Sequence, residues 1–162
     1  MTSRRWRTSS SAVKGELSRL ALAAIVLVLG AAAEELLPKA AFVGFPVLLT
    51  ASLFMACRAS AASAVAFAVA AGAVEDAICS LPAATSVSFF TAVAVAARWS
   101  RVPRAFVPVA FPCFQLWLWL WRPDMAGSVF VRLLVSVPFG LAAAAVVFPV
   151  LGRAGREVAI DG

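Results

Sequence analysis

Six apolar runs, parted by short connectors of charged residues and prolines, set the limits on what this chain can fold into. The runs are Leu20–Ala33, Ala40–Cys57, Ala59–Val74, Ala83–Ala97, Val102–Trp121 and Gly127–Leu151. The connectors hold Glu34, Glu35 and Lys39; Arg58; Glu75 and Asp76 with Pro82; Arg98, Arg101 and Arg104; and Arg122-Pro123-Asp124. None is long enough to house a folded soluble domain. The 162 residues are 63% hydrophobic and 14% charged, where a soluble domain is about half apolar and about a quarter charged. The runs therefore call for lipid as solvent, and lipid forces the backbone to satisfy itself within helices. The expected fold is all-α, a polytopic bundle of about six transmembrane helices. Residues 1–19 form a basic cytoplasmic tail, residues 20–151 the transmembrane domain and residues 152–162 a second cytoplasmic tail.

The first run is short. It reaches spanning length by borrowing Leu17–Arg19 and Glu34–Leu37, with charged ends reaching for the interface. Its basic start and Ala31-Ala32-Ala33 also imitate a cleavable signal peptide. Arg4, Arg5, Arg7, Lys14 and Arg19 before it suit either a solvated tail or anionic membrane lipid.

Orientation follows from lysine and arginine placement. Six alternating spans put the N-terminal cluster, Arg58, Arg98, Arg101, Arg104, Arg153 and Arg156 on one side. The other side receives Lys39, Arg122 and Arg132 together with Glu34, Glu35, Glu75, Asp76 and Asp124. The first side is expected to be cytoplasmic, with both termini on it.

Ala59–Leu81 reads as the packed centre of the bundle. Ala64, Ala68 and Gly72 recur every fourth residue, and Asp76 extends the same helix face. Small residues in such a row let neighbouring helices approach closely. Two readings of the acids stay open: Asp76 points into the bundle, or Glu75 and Asp76 are a polar end to a span. Gln115 is the one strongly polar side chain deep in the fifth run and can bond across to another helix. Arg132 is placed to pair with Asp76 or Asp124. Pro103, Pro108 and Pro112 should bend the fifth helix. Trp117, Trp119 and Trp121 close it as an interfacial belt or line a ligand pocket.

The chain has no histidine, and its three cysteines form no Cys-x-x-Cys pair. That removes most zinc sites and every Ser-His or Cys-His nucleophile pair. No Walker A sequence, Gly-x-Gly-Asp or Gly-x-Ser-Gly occurs. No catalytic residue, cofactor or metal is expected. The candidate structural and partner-binding residues are Gly72, Glu75, Asp76, Gln115, Arg122, Asp124 and Arg132.

Gly72-Ala73-Val74-Glu75-Asp76-Ala77-Ile78 resembles the signature of the rod shape-determining protein MreD family, in which a Gly-rich apolar helix runs into Gly-x-x-x-Asp. The length, the basic termini, the Arg122-Pro123-Asp124 turn before the last span and Gly152-Arg153 after it are similar in kind. Glu75 departs from that pattern, which has an apolar residue there. Pro82 and Ala83-Ala84 also depart, standing where the family carries further glycines. The resemblance implies a non-enzymatic scaffold subunit of the bacterial cell-elongation machinery in the cell inner membrane. Its implied partners are an MreC-type bitopic protein, a RodA-type glycosyltransferase with a class B penicillin-binding protein, and the MreB cytoskeleton. It also implies a fold like the substrate-binding subunits (S-components) of energy-coupling-factor transporters. The alternative it raises is a vitamin- or metal-binding transporter subunit with an outward pocket among Glu34, Glu35, Asp76 and the tryptophans.

Overall fold

The structure, a computed structural model, describes residues 5–37, 39, 43–99, 103–121 and 129–160. Among them it is all-helical, with six α-helices and no strand: α1 Arg5–Leu36, α2 Val47–Arg58, α3 Ala61–Ile78, α4 Thr85–Trp99, α5 Pro103–Trp121 and α6 Val129–Ile160. Every expected run carries one helix. Ala61–Ile78 and Val129–Ala154 are long and apolar enough to cross a membrane.

The breaks follow local chemistry. Pro46 precedes α2, which starts at Val47, so the second helix is shorter than its apolar run. Ser60 caps α3, its hydroxyl accepting the Ser63 N–H at 3.2 Å. Both flanks continue as helix where tails were expected. α1 begins at Arg5, and α6 runs through Gly152 and Gly155 to Ile160. No proline interrupts either stretch, and isolated glycines only weaken a helix that packing has already nucleated.

The centre is α2, not α3. α2 packs against every other helix, and Leu48, Leu49, Thr50, Ala51, Ser52, Leu53 and Ala56 are buried along it. α3 buries one face, with Ala64, Phe67, Ala68, Ala71, Gly72 and Asp76 on it. The larger side chains of α2 fill the middle, and the small ones of α3 lie against them. Twelve residues make α2 only about 18 Å long. Both of its ends are satisfied by other helices. At the start, Glu34 Oε1 accepts the Leu48 N–H at 2.7 Å. At the end, Arg98 Nη1 donates to Ala59 O at 2.9 Å and Ala56 O at 3.2 Å. The Glu34 oxygen takes up one of the N–H groups a helix start leaves unpaired, and the guanidinium at the C-terminus matches the helix dipole.

α5 and α6 form the other tight pair. Pro108 and Pro112 lie inside α5, and Pro138 and Pro149 inside α6, without ending either helix. At Gly140 the two backbones come close: an added Cβ would stand 3.1 Å from Pro108 Cα. Phe54 meets Phe148 edge-on at 5.5 Å, tying α2 to α6.

Candidate functional site

Gly72 and Asp76 act on the same target, the first turn of α4. A Cβ on Gly72 would stand 2.5 Å from Val87 Cα, 2.6 Å from Val87 N and 2.9 Å from the Ser86 carbonyl carbon. Only glycine lets the α3 backbone lie this close to the α4 backbone. One turn later, Asp76 Oδ1 accepts the Ser86 N–H at 2.7 Å. Ser86 is the second residue of α4, and its N–H is one of the donors a helix start leaves unpaired. The carboxylate fills the role of an N-cap from a different helix, and its charge suits the positive end of the dipole. The spacing of the pair thus has one cause. Gly72 permits the approach, and Asp76, on the same face, reaches the turn that the approach brings near.

Asp76 is 8% exposed, so of the two readings open from sequence the inward one holds. Its Oδ2 is shut off from solvent and has no hydrogen-bond partner among the described residues. From α5, Trp117 Nε1 donates to Thr85 O at 2.9 Å. The start of α4 is therefore held through an N–H by α3 and through a C=O by α5. Trp117 is a positioning residue, while Trp119 and Trp121 are exposed.

The link between α3 and α4 is tight. Ser80 and Ala84 take φ of 50° and 68°, a left-handed conformation that glycine adopts freely and other residues adopt at a cost of about 1–2 kcal/mol. Leu81 N–H donates to Asp76 O at 2.9 Å, and Thr85 Oγ1 to Pro82 O at 2.8 Å, fixing both sides of the bend. Ala84 holds its positive φ without the freedom of glycine. Ala84→Gly should leave the fold unchanged and raise its stability by up to about 1 kcal/mol, measured by detergent unfolding.

Glu75 lies on the neighbouring face. Its Oε1 accepts from Cys79 Sγ at 3.5 Å, its Oε2 is buried without a partner among the described residues, and its carboxyl group neighbours that of Glu34. Glu34 is 7% exposed. The same arrangement therefore occurs twice. An acid near the end of one helix, Glu34 in α1 or Asp76 in α3, bonds the second N–H of the next.

Gln115 and Arg132 are both buried, at 4% and 5% exposure. Gln115 Oε1 has no hydrogen-bond partner among the described residues. The structure does not bring Arg132 to Asp76 as an ion pair; among the described residues the Asp76 carboxylate meets the Ser86 N–H. Arg122 and Asp124 lie outside the described residues, and with them the pairing of Arg132 with Asp124. Sequence reasoning missed Glu34, Arg98 and Trp117. Glu34 read as part of an outer loop and Arg98 as a topology signal, because a cap supplied from 14 or 42 residues away leaves no local pattern.

No protein-family model, no curated protein and no solved structure matches the chain.

Proposed function

We propose that this chain is a six-span protein of the bacterial cytoplasmic membrane with both termini inside, and a non-enzymatic scaffold subunit of the cell-elongation machinery. The large apolar side chains that remain exposed support the membrane reading. Leu20, Val28 and Leu29 of α1, Leu120 of α5, and Phe130 and Leu134 of α6 are each more than three-fifths exposed. Water would not tolerate such a surface on a monomer, whereas lipid solvates it. The topology is tested with reporters. One active only outside the cytoplasm should be silent after Asp161 and active in the Arg122–Asp124 turn. The reverse pattern rules the topology out.

The observation that carries the functional reading is the joint use of Gly72 and Asp76 on the start of α4. It gives a physical reason for the Gly-x-x-x-Asp spacing on which the resemblance to the MreD family rests. It is a packing and capping device with no reacting group, as befits a scaffold whose product is a surface. The proposed partners are an MreC-type bitopic protein and, through it, a RodA-type glycosyltransferase, a class B penicillin-binding protein and MreB. The proposed fold is that of energy-coupling-factor S-components. The transporter alternative has less support, because Glu34 and Asp76 of its pocket are already engaged as helix caps. Co-purification in mild detergent separates the two. A bitopic partner retained by the chain supports the scaffold, and a bound vitamin or an ATPase module in its place overturns it.

A further inference from the structure

At the end of the α5–α6 seam that carries Arg153, the two helices enclose a groove of about 470 Å³, open along one side and lined by Ala105, Pro108, Leu141, Ala144, Ala145 and Pro149. It begins beside the Gly140–Pro108 contact. Leu141, Ala145 and Pro149 form one row on α6 at four-residue spacing, about 12 Å long. Alanine methyls and proline rings leave its floor shallow, and no polar side chain lines its walls. The row does not end in another apolar residue. Four residues beyond Pro149 stands Arg153, which is exposed. On α5 the sequence places Arg104 four residues before Pro108. The α6 row of the groove thus runs to an arginine at its far end, which the proposed topology puts at the inner membrane surface, whereas Arg104, four residues from the Gly140–Pro108 contact, falls near the height of Ala144.

An apolar channel ending in positive charge at the headgroup level complements one kind of molecule, an acyl chain with an anionic head. We propose that this groove is a binding site for an anionic phospholipid of the inner leaflet, with one acyl chain along Leu141, Ala145 and Pro149 and the phosphate at Arg153. The site rests on the membrane reading above but not on the scaffold role. A partner's transmembrane helix fits less well, since the groove ends in a charge that apolar helices avoid.

The test uses the full chain, with Cys57, Cys79 and Cys113 replaced by alanine, reconstituted in dioleoyl phosphatidylcholine vesicles. A fluorophore is placed on Ala145→Cys in the groove, or on Leu134→Cys on the exposed surface of α6. Brominated phosphatidylglycerol or brominated phosphatidylcholine is titrated in as quencher. At Ala145→Cys, phosphatidylglycerol should quench saturably and about fivefold more effectively, as about one basic contact predicts. At Leu134→Cys the two lipids should be equivalent. Arg153→Gln, which leaves the groove wall intact, should remove the preference at Ala145→Cys. Equal quenching by both lipids at Ala145→Cys, or a preference that survives Arg153→Gln, overturns the site while leaving the membrane reading in place. Absence of quenching at Leu134→Cys as well would mean that α6 meets no acyl chains, and the membrane reading itself would fail. A groove label shielded from both lipids by a co-purified bitopic helix would assign the groove to that partner and overturn the lipid site.

Discussion

Gly72→Ala should destabilise the bundle by the upper end of the about 1–3 kcal/mol typical of overpacked cores. One methyl group is a small change, but its neighbours here are Val87 Cα and N at 2.5 and 2.6 Å. Those are backbone atoms of a helix, and no side-chain rotation can move them aside. α4 has to shift as a body. The shift would lengthen the 2.7 Å bond from Ser86 N–H to Asp76 and load a turn that already holds Ser80 and Ala84 at positive φ. Unfolding by denaturing detergent, followed by helix content, measures the loss. The control is Gly44→Ala, where an added Cβ would meet nothing within 4 Å. That variant should differ little from the parent chain.

Asp76→Leu should cost about 1–3 kcal/mol by a different route, because it leaves the buried Ser86 N–H without an acceptor. Asp76→Asn should be mild, since its amide oxygen accepts the same N–H and only the charge facing the helix dipole is lost, worth about 0.3–1 kcal/mol. Glu75→Leu should matter less than Asp76→Leu. Glu75 caps no helix, and removing it relieves two neighbouring carboxyl groups. Accumulation in the membrane, detergent unfolding and partner pull-down at matched expression should give the same order. An Asp76→Leu chain as stable as its parent would reduce Asp76 to a polar end of a span.

The helices were legible because each connector carries its own signal. Arg58 with Ser60, the Leu81-Pro82 break and the arginines from Arg98 to Arg104 each interrupt an apolar run where the chain turns. The Gly72–Asp76 face was legible from four-residue spacing alone, but its target was not. Nothing in residues 72–76 specifies that the face meets Ser86 and Val87 rather than another helix. The place of α2 at the centre was also hidden. In a chain this apolar, a Leu-rich run and an Ala-rich run both pass for lipid-facing or buried, and periodicity has too little polar contrast to separate them. Its 12-residue length is intelligible only once Glu34 and Arg98 are seen to close its ends. The helical course of residues 5–19 was missed because basic residues were read for their charge, although that stretch holds no proline.

Gly72 and Asp76 form one device, in which close approach makes the cap possible. A double-mutant cycle over Gly72→Ala and Asp76→Leu, read by detergent unfolding, tests it most directly. If Gly72→Ala already pushes Ser86 out of reach, little of the cap remains for Asp76→Leu to remove. The double variant should then be less destabilised than the sum of the singles, with a coupling of about 0.5–3 kcal/mol. Strict additivity within about 0.5 kcal/mol would show two independent residues on one helix face and would contradict the claim.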